Sequence, residues 1–217
     1  MAKPTVIVVD DHQIFRKGLI TLLNNENIAS VIGEASNGQE FLDLLETVDK
    51  PDIVLIDIDM PKMGGEEATR KALAKYPQLN VLTLSMFGDE GNYYKMVNAG
   101  VKGFLLKNSD LSELEMAIAI VGQGETYFSN ELLRNIITNF GKTQKEKVIN
   151  TVKPTTREQE VLVLICAGFT NEDIAEKLCI SPTTVKGHRT NLLEKTSCKN
   201  TASLIMYAIK NKLIEME

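Results

Sequence analysis

The sequence contains few cysteines and few histidines. Its three cysteines, Cys166, Cys179 and Cys198, are odd in number, and they lack metal-ligand spacing. Only two histidines could assist them in binding a metal ion. This composition argues against a Cys/His metal site and predicts reduced thiols in an intracellular protein.

Long apolar runs are also absent. No run reaches the length of a membrane-spanning helix, and the chain does not open with a basic region followed by an apolar stretch. We therefore expect a soluble, cytoplasmic protein that makes no membrane contact.

Length and charge point to two domains of different character. A chain of 217 residues with 43% hydrophobic residues can form two domains, each with its own core. The net charge of −5 is unevenly distributed. Residues 1–122 carry 11 Lys and Arg against 18 Asp and Glu, whereas residues 151–217 carry 9 against 8. The acidic balance of the whole chain therefore does not exclude nucleic-acid binding by its second half.

The first half alternates short apolar runs with segments of helical periodicity, which is the pattern of β-α units around a parallel sheet. Five strands are predicted, at 5–9, 31–35, 52–56, 80–85 and 103–106. Helices are predicted at about 12–24, 37–47, 64–75, 89–99 and 110–121. Residues 1–122 are thus expected to form an α/β domain with a doubly wound, five-stranded parallel sheet.

The second half follows a different pattern. Residues 123–152 are mostly polar and are predicted to be a linker with a short helix at about 131–140. Residues 153–217 show no strand signal, and their apolar residues recur at helical spacing in four segments, at about 156–167, 171–178, 182–195 and 200–212. This part is predicted to be a small all-α domain.

Acidic residues follow two of the predicted strands. Asp10 and Asp11 come directly after the first strand, Asp57 ends the third, and Asp59 lies two residues further on. If these two strands are neighbours, three carboxylates converge at one edge of the sheet, and Asp59 would add its backbone carbonyl. Such hard oxygen ligands suit Mg²⁺. Helix capping is the alternative explanation, but it accounts poorly for a cluster of three acids.

Two further polar side chains belong to the same edge. Ser85 ends the fourth predicted strand, and Lys107 follows the fifth. A lysine can offset the repulsion among the acids and can pair with a phosphoryl oxygen. Carboxylates, a metal ion, a hydroxyl and an ammonium group together are the components needed for phosphoryl transfer to a carboxylate.

The segments "VVDDH", "VLIDIDMPKMGG", "LTLSMF" and "GFLLK", in this order, resemble the motifs of response-regulator receiver domains across about residues 4–122. The resemblance implies that Asp57 accepts a phosphoryl group from a sensor histidine kinase. It also implies further roles: Asp11, Asp57 and the Asp59 carbonyl as Mg²⁺ ligands, Asp10 as a ligand through water, Lys107 as the partner of the phosphate, and Ser85 and Phe104 as switch residues. Phe104 would turn inward once the phosphoryl group draws the Ser85 hydroxyl towards itself.

The sequence of the all-α domain contains helix-boundary residues that are typical of a helix-turn-helix. Ser181 is suited to N-cap a helix and Pro182 to begin it. Val185 and Leu192 fall on one face of this helix, and Lys186, Gly187 and Thr190 fall on the opposite face. Residues 182–199 carry four cations, Lys186, Arg189, Lys195 and Lys199, against the single acid Glu194. Such a face is either simply solvated or contacts DNA phosphates, and we favour the second interpretation.

The segments "TREQEVL", "TNEDIAEKL" and "SPTTVKGHRTNLLEK" resemble the DNA-binding domain of LuxR/FixJ-type regulators. By this resemblance, Lys186 and Thr190 would approach base edges, and Thr184, His188, Arg189 and Asn191 would face backbone phosphates. Gly187 lies in the DNA-facing segment, at a position where a regulator of this type typically has a side chain. Glycine at this position lowers helix propensity and removes one base contact. The last helix would form a dimer contact. The whole chain thus resembles a NarL/FixJ two-component response regulator, which binds double-stranded operator DNA as a homodimer after phosphorylation and is not an enzyme.

Two alternatives remain open. The "DIDMP" segment also contains the Asp-x-Asp pattern of phosphohydrolases that form an aspartyl-phosphate, although here the acidic pair Asp10 and Asp11 precedes it in the chain. The second alternative is a DNA-binding regulator that works without phosphorylation.

Overall fold

The structure is a computed structural model that describes residues 3–86, 90–128, 153–211 and 213–214. The chain divides into two compact units, Met1–Tyr127 and Phe128–Glu217.

The first unit is built on a sheet with the strand order β2-β1-β3-β4-β5-β6. The strands are β1 Thr5–Val9, β2 Ser30–Ala35, β3 Ile53–Asp57, β4 Val81–Ser85, β5 Gly103–Leu106 and β6 Tyr127–Phe128. Neighbouring strands from β2 through β5 are parallel. Every residue of β3 and β4 is buried, as expected for central parallel strands with both faces covered.

Five helices accompany these strands: α1 Gln13–Asn25, α2 Gly38–Leu45, α3 Gly65–Lys75, α4 Glu90–Ala99 and α5 Leu111–Gly122. Side-chain caps mark where two of them begin. The Asn37 side chain accepts hydrogen bonds from two backbone amides at the start of α2, and Asp110 accepts one at the start of α5. The predicted doubly wound parallel sheet is confirmed.

The sheet differs from the prediction at one edge. It has six strands rather than five, because Tyr127–Phe128 forms a short strand inside the range that was assigned to the linker. The Tyr127 amide donates a hydrogen bond of 2.9 Å to the Lys102 carbonyl. Two residues are too few to show strand alternation, so the sequence pattern gives no signal there. The predicted helix at about 131–140 lies outside the described residues.

The second unit contains four described helices: α6 Thr156–Cys166, α7 Asn171–Leu178, α8 Pro182–Thr196 and α9 Thr201–Lys210. Reciprocal capping boxes begin α6, α7 and α9, and Ser181 caps α8 with Pro182 in its first turn. Fully or almost fully buried aliphatic residues from all four helices form one core, including Val161, Ile174, Val185, Leu192 and Ile205. The predicted all-α architecture of this part is confirmed.

Cys166, Cys179 and Cys198 are free thiols, and burial raises the pKa of Cys166 to about 12. Across residues 3–86, 90–128, 153–211 and 213–214, no helix is both long enough and apolar enough to cross a membrane.

Candidate functional site

The strand order brings the predicted acids together. β1 lies directly beside β3 in parallel register, with Val9 opposite Ile56. Asp10 follows β1 and Asp57 ends β3, so both carboxylates lie at the same edge of the sheet. Asp10 is 0% exposed and Asp57 5% exposed. The first and third strands are thus neighbours, which was the condition for the acids to converge, and the two acids share one buried site.

Lys107 joins these two acids from the end of β5. Its Nζ atom lies 2.6 Å from Asp57 Oδ2 and 2.8 Å from Asp10 Oδ2, and its side chain is 5% exposed. The Lys107 amide also donates to the Ser85 carbonyl over 2.7 Å, which ties the end of β5 to the end of β4. A cation is thus held between two carboxylates that come from different strands.

The pKa values of this group reflect both burial and pairing. Burial raises the pKa of Asp57, and the hydrogen bond and charge of Lys107 only partly oppose that rise. Burial disfavours the charged form of Lys107, but hydrogen bonds to Asp10 and Asp57 outweigh it, so the pKa of Lys107 is raised. Lys107 therefore remains an ammonium group and helps to keep Asp57 ionised.

The loop after β3 has a tightly constrained backbone. The Asp57 Oδ1 atom accepts a hydrogen bond of 2.8 Å from the Ile58 amide, and the Gly65 amide donates to the Ile58 carbonyl over 2.8 Å. A Cβ atom at position 65 would lie 2.0 Å from the Asp57 carbonyl oxygen. Only glycine fits this approach of the α3 start to the loop.

The acid cluster fits a hard divalent cation. Donor atoms of Asp10, Asp11, His12 and Asp57 all lie within 4.8 Å of one another. Asp10 Oδ2 and Asp11 Oδ1 are inaccessible to solvent, and neither accepts a hydrogen bond within the described part of the chain. Asp10 Oδ2 is nevertheless paired with the Lys107 ammonium over 2.8 Å, whereas Asp11 Oδ1 is not. Buried carboxylate oxygens without hydrogen bonds are suited to Mg²⁺, so the residues present fit the predicted ion.

Near this cluster lie one residue that the sequence predicted for the site, Asp59, and one that it did not, His12. Asp59 lies two residues beyond β3 with its side chain exposed, and the role of its carbonyl remains a prediction. His12 was not predicted as a site residue, yet its Nδ1 atom lies 3.0 Å from Asp11 Oδ1. The sequence did contain an indication of this role, because His12 directly follows two acidic residues and histidine is a common metal ligand.

The predicted switch residues lie on β4 and β5. Ser85 is fully buried at the end of β4, and its hydroxyl donates to the Met86 carbonyl over 3.1 Å. Phe104 is also buried and packs edge-to-face on Tyr93, with ring centroids 4.6 Å apart. The rotation of Phe104 on phosphorylation stays a prediction.

Helix α8 presents the polar face that the periodicity predicted. Val185 and Leu192 are fully buried. The opposite face exposes five of the residues predicted to contact DNA, namely Thr184, Lys186, Gly187, Thr190 and Asn191. His188 and Arg189 are partly buried, and the Arg189 guanidinium donates a hydrogen bond of 3.4 Å to the Phe169 carbonyl.

One cation of the predicted DNA-facing set has a structural role instead. The Nζ atom of Lys195 lies 2.7 and 2.8 Å from the two carboxylate oxygens of Glu158, which is buried in α6. The interpretation of Lys195 as part of a DNA-facing surface is therefore corrected. Its charge neutralises a carboxylate of the same unit, which a sequence count of charges does not reveal.

A buried aspartate held by a lysine at the edge of a parallel sheet, followed by a helix-turn-helix unit, defines the response-regulator class of protein. The family model "Response regulator receiver domain" matches residues 6–119, and "Bacterial regulatory proteins, luxR family" matches residues 155–208. The chain belongs to the NarL/FixJ family of two-component response regulators.

Individual relatives cover almost the whole chain. The oxygen regulatory protein NreC of Staphylococcus epidermidis is 36% identical over 217 residues, which span 97% of this chain and 99% of the relative. A response regulator, ChrA, of a heme-sensing two-component system has 29% identity and a TM-score of 0.55, with 99% of this chain and all of that chain covered. RcsB of Salmonella enterica serovar Typhimurium, solved bound to the promoter rprA, has 22% identity and a TM-score of 0.56, with 97% of this chain and all of that chain covered, and shows the shared fold.

Proposed function

We propose that this response regulator is a transcriptional regulator whose operator binding is switched on by phosphorylation of Asp57. The observation that carries the proposal is the buried Asp57 carboxylate, which ends β3 and pairs with Lys107 over 2.6 Å. A carboxylate in this position can act as a nucleophile, and the lysine beside it offsets the charge of an incoming phosphoryl group. The donor would be a phosphohistidine of a sensor histidine kinase.

In the proposed reaction, an Asp57 carboxylate oxygen attacks the phosphorus atom. The bond between phosphorus and the donor imidazole breaks, the imidazole leaves, and an acyl phosphate forms on Asp57. Lys107 stays charged and is placed to pair with a phosphoryl oxygen. Asp10, Asp11 and Asp57 would hold Mg²⁺, with the Asp59 carbonyl as a further ligand, and this ion would neutralise charge on the phosphoryl oxygens. The chain accepts the group once per cycle and is not proposed to turn over a substrate as an enzyme.

The output would be read by α8. Its exposed face carries Lys186 and Thr190, which we propose contact base edges in the major groove, and its neighbours Thr184, His188 and Asn191 would contact the phosphate backbone. We further propose that phosphorylation promotes a homodimer that reads two half-sites, with α9 at the contact.

The input can be tested by treating the full chain with acetyl phosphate and Mg²⁺ and measuring its intact mass. One phosphoryl group is expected on the wild type, and none on Asp57→Asn. Asp59→Asn is the matched control, because it removes an exposed carboxylate and keeps the backbone carbonyl. Equal phosphorylation of Asp57→Asn and the wild type would refute the assignment, and sustained hydrolysis of a phosphate ester would favour the phosphohydrolase alternative.

The output can be tested on an operator found by genome-wide footprinting. Phosphorylation should tighten operator binding by the wild type, and Asp57→Asn should not respond. Lys186→Ala should weaken specific binding by about 1–3 kcal/mol, whereas the exposed Lys153→Ala should have little effect. Equal affinities for all these proteins, with and without phosphorylation, would instead support a regulator that works without the switch.

A further inference from the structure

We propose that His12 is a nitrogen ligand of the divalent-cation site and gives that site a preference for transition-metal ions such as Ni²⁺ over Mg²⁺. The inference rests on the cation site proposed above and concerns which ion that site selects. Only oxygen ligands were expected at this edge of the sheet, so a nearby imidazole nitrogen changes the chemistry of the site.

The geometry places the imidazole among the carboxylates. His12 Nδ1 lies 3.0 Å from Asp11 Oδ1, 3.4 Å from Asp10 Oδ1 and 3.9 Å from Asp57 Oδ2. Donor atoms that each lie about 2.1 Å from one octahedral ion are about 3.0 Å apart when they are adjacent and about 4.2 Å apart when they are opposite. The separation of His12 Nδ1 from Asp11 Oδ1 matches adjacent ligands, and its separation from Asp57 Oδ2 is close to that of opposite ligands.

The local backbone leaves the imidazole available for this role. His12 is the N-cap residue of α1, but its side chain makes no capping hydrogen bond. Its amide instead donates to Asp10 Oδ1 over 2.8 Å, a short-range bond that turns the residue back towards the acids. The side chain is 68% exposed, so a hydrated ion can approach it from solvent.

One carboxylate oxygen of the cluster is buried and accepts no hydrogen bond from the described residues. This oxygen is Asp11 Oδ1, the nearest acceptor to His12. Asp10 Oδ2 differs from it, because it is paired with the Lys107 ammonium over 2.8 Å. An ion shared with His12 Nδ1 would give Asp11 Oδ1 a cationic partner as well.

Ligand chemistry then predicts the selectivity. Mg²⁺ favours carboxylate, carbonyl and water oxygens and gains little from an imidazole. Nickel and other later first-row ions bind imidazole nitrogen well, and their affinity for a given site rises from Mn²⁺ towards Cu²⁺. A site with oxygens and one imidazole is therefore expected to bind Ni²⁺ more tightly than Mg²⁺, and the difference should depend on His12.

The test uses the full chain and two direct measurements. Calorimetry measures the affinities for Ni²⁺ and Mg²⁺, and pulsed electron paramagnetic resonance with Mn²⁺ detects coupling to a coordinated nitrogen nucleus. His12→Ala should lose the nitrogen coupling and weaken Ni²⁺ binding at least about tenfold, while Mg²⁺ binding changes little. The other histidine of the chain supplies the matched control, since His188→Ala should leave all three readouts unchanged.

The outcomes separate this inference from the proposed function. Wild type that binds Mg²⁺ but shows no nitrogen coupling with Mn²⁺ would overturn the role of His12 and leave the phosphoacceptor proposal intact. Coupling that survives in His12→Ala would also overturn it. Wild type that binds no divalent ion would instead count against the proposed cation site itself. Thermal unfolding of His12→Ala close to that of wild type would confirm that the exposed side chain was removed without damage to the fold.

Discussion

Replacement of Lys107 by methionine should destabilise the first unit more than its size change suggests. The substitution keeps the length of the apolar stem but removes an ammonium group that lies 2.6 Å from Asp57 and 2.8 Å from Asp10. Loss of one partner from a buried ion pair costs about 3–5 kcal/mol, because the remaining charge is desolvated and uncompensated. We expect about 3 kcal/mol, the lower limit, since proton uptake by Asp57 can relieve part of the cost.

The measurement is calorimetric unfolding of the full chain in the presence of a chelator. A second scan with Mg²⁺ in place of the chelator identifies the transition of the first unit, because Mg²⁺ should raise its unfolding temperature. The loss corresponds to roughly 10 °C for a unit of this size. Lys102→Met is the control, because Lys102 donates a hydrogen bond of 2.7 Å to a neutral acceptor, Asn80 Oδ1, and should cost about 1 kcal/mol.

A double-mutant cycle tests the physical reason. If buried carboxylate charge left without a partner causes the loss, Asp57→Asn should recover part of it in the Lys107→Met background, with a coupling energy of about 1–3 kcal/mol. An unfolding temperature of Lys107→Met equal to that of wild type in chelator would refute the reasoning. Additive effects of the two substitutions would refute it as well.

Three further predictions concern other positions. Burial alone would raise the pKa of Glu158, but its hydrogen bonds with Lys195 and Thr155 and the charge of Lys195 together lower it. These interactions therefore stabilise the second unit above about pH 4.5, and the stabilisation is lost as the pH falls. Glu158→Gln should unfold with a weaker pH dependence between pH 6 and 3, and an unchanged dependence would contradict this. Gly65→Ala should lower the free energy of unfolding by about 1–3 kcal/mol, because its Cβ meets a backbone carbonyl. The control Gly18→Ala, in open space within α1, should raise the free energy of unfolding by about 0.5–1 kcal/mol. Equal values for the two variants in denaturant unfolding would exclude the steric explanation. Gly187→Ala should stabilise the second unit by about 1 kcal/mol, since nothing lies within 4 Å of the added Cβ, and a calorimetric loss of stability would show an unseen contact.

Much of the fold follows from local patterns in the sequence. Apolar runs and helical periodicity located every strand from β1 to β5 and every helix from α6 to α9 within about two residues of the observed ends. The start of α8 was marked by Ser181 and Pro182, whose capping roles depend only on neighbouring residues. Burial of Val185 and Leu192 followed from the helical period alone.

Local sequence patterns predicted only part of the composition of the site. Asp57 could be placed at a strand end, and its partners could be proposed from their own strand ends. Their meeting required β1 to lie beside β3, which depends on how the whole sheet is ordered. The contact of Lys107 with Asp57 spans 50 residues of chain.

Only the tertiary structure decided which charges are paired. Lys195 and Lys186 look alike in the sequence, yet Lys195 neutralises the buried Glu158, 37 residues away, and Lys186 lies on the exposed face of α8. His12 likewise gave no signal of its orientation towards three carboxylates. The physical reason is that periodicity and capping act over a few neighbouring residues and determine elements and their faces. The pairing of charges instead depends on distances and desolvation that exist only after distant elements pack together.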